Sequence, residues 1–454
     1  MSNLTDNIIA VLRSGPHSAA ALGRRFAVAP STVSRQLNQL EGQVLKAGNG
    51  ATTQWYLRRT LPLLDAVNVL PVYRIDEQGQ ALRIGSLHVV YPLDNYVFEY
   101  FRVEQVTDEQ RSEWQHYASL PWWLTDMRPH GFLGRSFAKQ LRSNGLAVDA
   151  DPNRWNEDTV LGVLARFPQH HIGNLLVGQV AYQHWLAQEV EPSLTELQAG
   201  ERAEAIAAGE HFDSSAQGEQ PKFTARVAGQ DCLVKFSGRV SQRDTDSVAN
   251  RWADLLHAEA IAAQVLNQWQ PNFAAVNRAF SVAERTLLTS VRFDRTIEGG
   301  RVGLISWTSL DLEFVGRAQE PWPVLAELLF EQNVITEGAR TASQLAWAFG
   351  QLIANTDMHL GNISCLNRGG RPFELAPVYD MLPMAFAPKN NGDLPNAVAS
   401  IVKHASVPDI VWHAALPLAN NFWRAVLDCK NISSHFKVIA TAQYEQVKRC
   451  RIDS

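Results

Sequence analysis

Cysteine is scarce: Cys232, Cys365, Cys429 and Cys450 are scattered, with no C-x-x-C pair and no His/Cys cluster. Neither a zinc site nor a disulfide framework is suggested, and a reducing compartment fits. Long apolar runs are missing as well, and none approaches the roughly 20 residues that a helix needs to span a bilayer. The opening M-S-N-L-T-D-N has no basic region followed by an apolar core, so we expect a soluble, cytoplasmic protein. Nor is there an excess of positive charge. The 41 Lys+Arg face 46 Asp+Glu for a net charge of −5, which argues against a chain that coats nucleic acid or membrane along its whole length. Internal repeats and low-complexity blocks are not evident. What is present is a 454-residue chain, 46% hydrophobic, long enough for two or three domains.

Charge is unevenly placed. Residues 1–60 hold Arg13, Arg24, Arg25, Arg35, Lys46, Arg58 and Arg59 against only Asp6 and Glu41. Apolar residues at Leu4, Ile8, Val11 and Leu12, at Ala21, Leu22 and Phe26, and at Val33, Leu37 and Leu40 have helical spacing, so three short helices are expected. Pro30 and Ser31 supply a turn and an N-cap for the third helix, whose exposed face offers Thr32, Ser34, Arg35, Gln36 and Asn38. V-L-K-A-G-N-G-A-T-T-Q-W-Y-L then reads as two strands around a Gly-Asn-Gly turn. The segment resembles the winged helix-turn-helix superfamily, with S-T-V-S-R-Q-L as its best local match. That likeness implies duplex DNA as a partner, with Ser31, Thr32, Ser34, Arg35, Gln36 and Asn38 at the groove and the wing arginines near phosphate. A dimerisation module of the same shape is the alternative.

From about 61 to 205 the chain becomes rich in tryptophan and proline, with strand-like pieces L-R-I-G-S-L-H-V-V and Y-V-F-E-Y-F and no catalytic cluster. L-P-W-W-L-T-D-M-R-P-H-G-F-L-G-R at 120–135 is dense in aromatics, Pro and Gly, which favours an ordered, packed loop. Residues 196–220 begin as a polar helical connector and end in H-F-D-S-S-A-Q-G-E-Q, a natural boundary.

Beyond it, K-F-T-A-R-V at 222–227 and D-C-L-V-K-F at 231–236 read as two strands joined by a short turn. Alternation puts Cys232, Val234 and Phe236 on one face and Lys235 on the other, where a lysine can reach phosphates. The helical stretch that follows carries Glu259, a carboxylate that such a helix can hold against that lysine, with Asp254 as the competing candidate. Further on, L-I-A-N-T-D-M-H-L-G-N at 352–362 sets Asn355, Asp357, His359 and Asn362 at the end of a helix, and V-Y-D adds Asp380. Phosphoryl transfer needs a base at the substrate hydroxyl, an amide and a carboxylate on Mg²⁺, and a lysine on the phosphates. Asp357 and Asn362 repeat the D-x-x-x-x-N spacing of the protein-kinase catalytic loop, with Asp380 in the later metal-binding place.

The ordered series F-D-S-S-A-Q-G-E-Q-P-K-F, C-L-V-K-F-S, L-L-T-S-V-R-F-D-R, L-I-A-N-T-D-M-H-L-G-N-I-S and L-A-P-V-Y-D-M-L-P-M resembles the HipA-type toxin kinases over roughly residues 65–454. Within that family it is similar to the HipH (YjjJ) subgroup, in which a winged helix precedes the kinase-like body. The implied fold class is α+β: a winged helix-turn-helix at 1–60, a HipA-type N-terminal subdomain at 61–205, a mixed α/β nucleotide-binding lobe at 206–295 and a mainly helical catalytic lobe at 296–454. The implied activity is an ATP- and Mg²⁺-dependent serine/threonine protein kinase of toxin–antitoxin systems.

By that resemblance Asp357 is the catalytic base, Asn362 and Asp380 the metal ligands and Lys235 the phosphate lysine. His359 and the backbone around Val291 and Phe293 contact nucleotide. Ser214 or Ser215 is the autophosphorylated residue, and Lys222 closes the loop. Two departures stand out. The Ser214/Ser215 loop holds a single glycine, Gly218, fewer than a close phosphate cradle prefers, and Val291 stands where the family often has glutamate.

Other readings start from the same residues. One is a DNA-binding regulator whose kinase-like body binds ATP without efficient transfer. Another is a metal-dependent nuclease built on Asp357, His359 and Asp380, which leaves Lys235 unexplained. A fused sugar kinase lacks the early D-x-G-x-T phosphate motif of the actin-like kinases. A protein substrate, a separate antitoxin and self-association complete the expected partners, and no membrane is expected.

Overall fold

Two patterns of apolar spacing, helical at the N-terminus and alternating further on, set the first elements. The computed structural model describes residues 4–64, 67–101, 113–167, 172–209, 220–241 and 246–450. The chain divides into two units, 1–130 with 134–189 and 131–133 with 190–454.

In the first unit, helices α1 (Leu4–Leu12), α2 (Ala19–Phe26) and α3 (Pro30–Gln39) precede strands β1 (Val44–Ala47) and β2 (Gln54–Leu57), which pair antiparallel. Ile8, Leu12, Leu22, Val33 and Leu37 are fully buried in one cluster with Trp55 and Leu57. The turn between α2 and α3 is close. A Cβ at Gly23 would lie 2.8 Å from the Val28 carbonyl oxygen, and Ala27 takes the left-handed conformation, φ 53°. The cap of α3 differs from expectation: Ala29 is the capping residue, Pro30 is the first helical residue, and Ser31 lies inside the first turn. Proline's fixed φ and missing N–H suit that first position, which moves the helix start ahead of the serine.

The β1–β2 hairpin is buried on both faces. Val44, Trp55 and Leu57 face the helices, whereas Leu45, Ala47 and Tyr56 pack with Val90 and Val97. Those last two residues belong to a sheet formed by β3 (Val69–Ile75), β4 (Ala81–Val90), β5 (Asn95–Tyr100), β6 (Trp114–Tyr117) and β7 (Leu175–Val177). Its order is β6-β5-β4-β3-β7, with antiparallel neighbours. Helices α4 (Gly131–Ser143), α5 (Glu157–Arg166) and α6 (Gln179–Ala187) complete the stretch. The first part of the aromatic segment at 120–135 is core: Trp122 and Leu124 are buried, and Trp123 meets Phe98 edge-on at 5.0 Å and donates to the Tyr117 hydroxyl at 3.0 Å.

Arg59, expected near phosphate, is buried instead. Its guanidinium pairs with Asp158 of α5 and donates to the Val90 carbonyl at 2.7 Å, and the Tyr96 hydroxyl donates to the same Asp158 at 2.8 Å. Arg58 is half-buried and reaches Asn68 at 3.4 Å. Both arginines are drawn inward because the hairpin's outer face docks on the sheet.

The second unit begins with α7 (Glu196–Gly209), β8 (Lys222–Val227), β9 (Gln230–Phe236), α8 (Val248–Trp269), β10 (Asn277–Val282) and β11 (Arg285–Val291). The four strands form an antiparallel sheet in the order β10-β11-β9-β8. The expected polar connector, α7, is packed: Ala199 and Ala203 are fully buried against Phe223, Cys232, Val234 and Phe236. Alanines on one face of a polar helix supply just enough apolar surface to dock it on the sheet. The β8–β9 turn is made by Ala228 and Gly229, both at positive φ, 49° and 82°, the conformation that matches the twist of a tight hairpin.

The rest is mainly helical: α9 (Trp307–Phe314), α10 (Trp322–Glu331), α11 (Glu337–Leu352), α12 (Asp409–Asp428) and α13 (Ser434–Cys450), with a small sheet of β12 (Gly303–Ser306), β13 (Ser364–Asn367) and β14 (Glu374–Leu375). Among the described residues no helix is long and apolar enough to cross a membrane. All four cysteines are unbridged.

Asp158→Ala would strand the buried Arg59 guanidinium. The expected loss is about 3–5 kcal/mol, read as a lower urea midpoint of the first unit; an unchanged midpoint would show that the pair does not hold the hairpin to the sheet.

Candidate active site

Period-two alternation on β9 sends Cys232, Val234 and Phe236 into the sheet's core and Lys235 to the opposite face, where it is only 4% exposed. There Lys235 Nζ donates to both oxygens of Glu259, at 2.7 and 2.9 Å, and to Asp380 Oδ1. Burial alone would lower the lysine's pKa, but Asp380 and Glu259 outweigh it and hold the ammonium charged, above its ordinary value. Burial would raise the Asp380 carboxyl, yet Lys235 and then Lys222 bring it below the ordinary range. Lys222 lies directly across from Lys235 in the β8–β9 register, so the lysine expected to close the loop is brought to the site.

Asp254, the other carboxylate considered for this lysine, is elsewhere. It accepts from the Ser433 backbone N–H at 2.7 Å and from the Ser433 hydroxyl at 2.6 Å, one residue before α13. On α8 the two carboxylates are five residues apart and therefore point in different directions.

The polar stretch begins where α11 ends. Ala354 adopts φ 61°, and the Asn355 N–H returns to the Gly350 carbonyl at 2.8 Å, a helix stop of the left-handed kind. Gly350 permits the chain to fold back, since a Cβ there would lie 2.2 Å from Met358 Sδ. Asn355 is buried and joins two functional residues: its side-chain oxygen accepts from the Asp357 N–H at 3.0 Å, and its amide donates to the Asp380 carbonyl at 3.1 Å. Asp380 itself is at φ 53°, a conformation costly for a non-glycine residue and held by these contacts.

Asn362 Nδ2 donates to the Asp357 carbonyl at 2.7 Å, which leaves its side-chain oxygen to act as an acceptor or ligand. The Asp357 and His359 side chains are 52% and 61% exposed, and Asp357 Oδ1 and His359 Nε2 stand 4.0 Å apart. Partial burial raises the Asp357 pKa above the ordinary value, and nearby Asp380 adds to the rise while His359 opposes it.

Two contacts were not foreseen. Trp322 Nε1 donates to the His359 carbonyl at 3.2 Å, and the Tyr379 hydroxyl donates to the Gly361 carbonyl at 3.0 Å. Only the place of Tyr379, just before Asp380, signals it in the sequence. Phe293 lies with its ring 6.0 Å from that of Tyr379. The Val291 N–H already donates to the Val276 carbonyl at 2.9 Å, so of the expected nucleotide contacts that donor is committed within the sheet. Ser214 and Ser215 lie outside the described residues.

At the N-terminus, Ser31, Arg35 and Asn38 are exposed on α3, and Thr32 and Ser34 are half-buried. Gln36, expected on the same face, instead accepts from the Thr5 hydroxyl at 2.8 Å, because its position on the helix turns it toward α1.

Asn362 and Asp380, the expected metal ligands, offer an amide oxygen and a carboxylate that is 30% exposed, the kind of donors that a hard cation takes. Among the described residues no group of three or more His, Cys, Asp or Glu side chains forms a metal cage. Mg²⁺ shared with substrate phosphates does not need one.

The mixed α/β body and this ordered site define a HipA-like protein. Residues 66–186 match the YjjJ-like toxin middle domain and residues 214–447 the HipA-like C-terminal domain. The chain belongs to the HipA-like toxin family. Toxin YjjJ of Escherichia coli (strain K12) is 34% identical over 459 residues, spanning 99% of this chain and 98% of the relative. A solved structure of HipA from Shewanella oneidensis MR-1, in a toxin–antitoxin complex with HipB and operator DNA, aligns with TM-score 0.50. It is 16% identical and covers 83% of this chain and 97% of that one, a likeness of fold.

Asn355→Ala removes the shared partner of Asp357 and Asp380. Each group left unpaired costs about 1–3 kcal/mol, so faster amide exchange at Asp357 and a lower urea midpoint are expected; native exchange at Asp357 would contradict the framing role of Asn355.

Proposed function

We propose that the chain is an ATP- and Mg²⁺-dependent serine/threonine protein kinase with a winged helix at its N-terminus that binds DNA. The observation that carries the kinase reading is the buried Lys235 between Glu259 and Asp380, beside a loop in which Asn362 is fastened to Asp357. ATP and Mg²⁺ supply the transferable phosphoryl group and the charge that stabilises its transfer. Lys235, kept cationic, binds the phosphates while Glu259 holds its ammonium group in place. Asn362 and Asp380 offer oxygens to the metal. Asp357 accepts the proton of a serine or threonine hydroxyl on a protein substrate, and His359 and the backbone around Val291 and Phe293 contact the nucleotide. Ser214 and Ser215 remain the candidates for autophosphorylation. The nuclease reading is less well supported, since Asp380 is engaged by Lys235 instead of being grouped with Asp357 and His359 alone.

The test is incubation of the full chain with γ-labelled ATP and Mg²⁺. Label should pass to protein in the wild type and in neither Asp357→Ala nor Lys235→Ala. Nucleotide binding without transfer would favour the regulator reading. A base must be unprotonated, and the Asp357 pKa is raised, so activity should fall with decreasing pH through a point above the ordinary Asp value of about 3.9. A rate that stays flat down to that value would rule out Asp357 as the base.

The DNA reading is supported by the exposed Ser31, Arg35 and Asn38 along α3, with Arg24, Arg25 and Lys46 also exposed. The spacing i, i+4, i+7 aligns the first three on one helical face. Binding to a duplex covering the region upstream of the chain's own gene, measured by fluorescence anisotropy, should weaken in Arg35→Ala by about 1–3 kcal/mol if it contacts a base. Undiminished binding would remove α3 as the recognition helix.

A further inference from the structure

Three buried charged residues on α8 each reach a different part of the second unit. Glu259 meets Lys235, Asp254 meets Ser433, and Arg251 meets the segment that follows Asp380. Arg251 is 2% exposed. Its Nη1 donates to the Phe386 carbonyl at 2.9 Å and to the Pro395 carbonyl at 2.8 Å, and its Nη2 donates to the Asn396 side-chain oxygen at 2.7 Å. Its guanidinium also lies 5.6 Å from the ring centroid of Phe436 on α13. Nothing in the chemistry assigned above uses this residue.

These contacts close a ring. From Lys235 it runs to Asp380, along the chain to Phe386, through Arg251 onto α8, and eight residues along that helix to Glu259, which returns to Lys235. An α-helix rises about 1.5 Å per residue and is stiff over such a length, so a displacement at the Arg251 end is carried to Glu259. We propose that Arg251 is a positioning residue: by tying α8 to the segment after Asp380, it sets the placement of Glu259 and so holds Lys235 between its two carboxylates. A planar fork suits this task, because it satisfies two carbonyls and an amide oxygen at once, which a single ammonium does less well.

The inference deepens the phosphoryl-transfer reading, but its first test does not depend on activity. Lys235 protection is read by brief acetylation of the full chain with an N-hydroxysuccinimide ester, followed by mass spectrometry, with exposed Lys430 as the internal reference. Arg251→Ala should acetylate Lys235 about tenfold faster than wild type, the scale of residues coupled in one network, with Arg251→Lys between them. If Arg251 acts through Glu259, the same change in an Glu259→Gln background should add less than about twofold. A general loss of stability would instead accelerate both backgrounds alike and would overturn the proposal, as would wild-type protection in Arg251→Ala. Should Arg251→Ala fail to fold, Arg251→Lys decides: faster labelling supports the ring and a wild-type rate refutes it.

The kinetic arm follows the same logic. Where wild type transfers phosphate, Arg251→Ala should lower kcat/KM for ATP about tenfold, with the double variant no worse than Glu259→Gln; independent, multiplying losses would count against the ring. A wild type that transfers no phosphate defeats the kinase reading, while the acetylation result still decides the role of Arg251.

Discussion

A buried ammonium with two carboxylate partners organises the second unit. Withdrawing Lys235 from water is costly, and the cost is offset only while Glu259 and Asp380 are both in place. That requirement couples three distant parts of the chain: strand β9, helix α8 and the turn after Tyr379. It also explains why α8 tolerates so many buried charges, since Arg251, Asp254 and Glu259 each have a specific partner. The helix is buried chiefly by its apolar residues, among them Leu255, Leu256, Ala262 and Leu266, and the partners make the burial of its charges tolerable.

The polar loop after α11 depends on a second economy of contacts. Asn355 serves as a hub, accepting from one functional residue and donating to the backbone of another, while Asn362 closes the loop onto Asp357. The left-handed Ala354 and Asp380 mark where the chain must turn sharply to bring these groups together. Such conformations persist only when surrounding bonds over-determine them, and here the surrounding bonds are those made by Asn355 and Lys235.

At the N-terminus the same argument works through burial of apolar surface. The β1–β2 hairpin has two apolar faces, one for its own helices and one for the neighbouring sheet. Docking the second face withdraws Arg59 from solvent and gives it Asp158 as a partner, so a basic residue becomes part of the framework. The exposed basic residues are Arg13 just after α1, Arg24 and Arg25 on α2, Arg35 on α3 and Lys46 on β1, which narrows where an anionic partner could meet this module.

Much of this was legible from local pattern. Helical spacing located α1 to α3, alternation separated Lys235 from Cys232, Val234 and Phe236, and the polar cluster at 355–362 coincides with a helix stop. These features depend on residues close in sequence, where backbone geometry alone decides which side chains share a face. Local pattern favoured Glu259 without eliminating Asp254, and it could not bury Arg59, turn Gln36 toward Thr5, commit the Val291 N–H to Val276 or pack α7 on the sheet. Each of those outcomes is set by a partner far away in the chain, and long-range contacts leave no trace in local spacing. Residue types and their order set the local elements; the tertiary structure decided which helix carboxylate meets the lysine, which arginines stay in solvent and which become structural, because buried charge is stable only beside particular partners that oppose it or satisfy its hydrogen bonds.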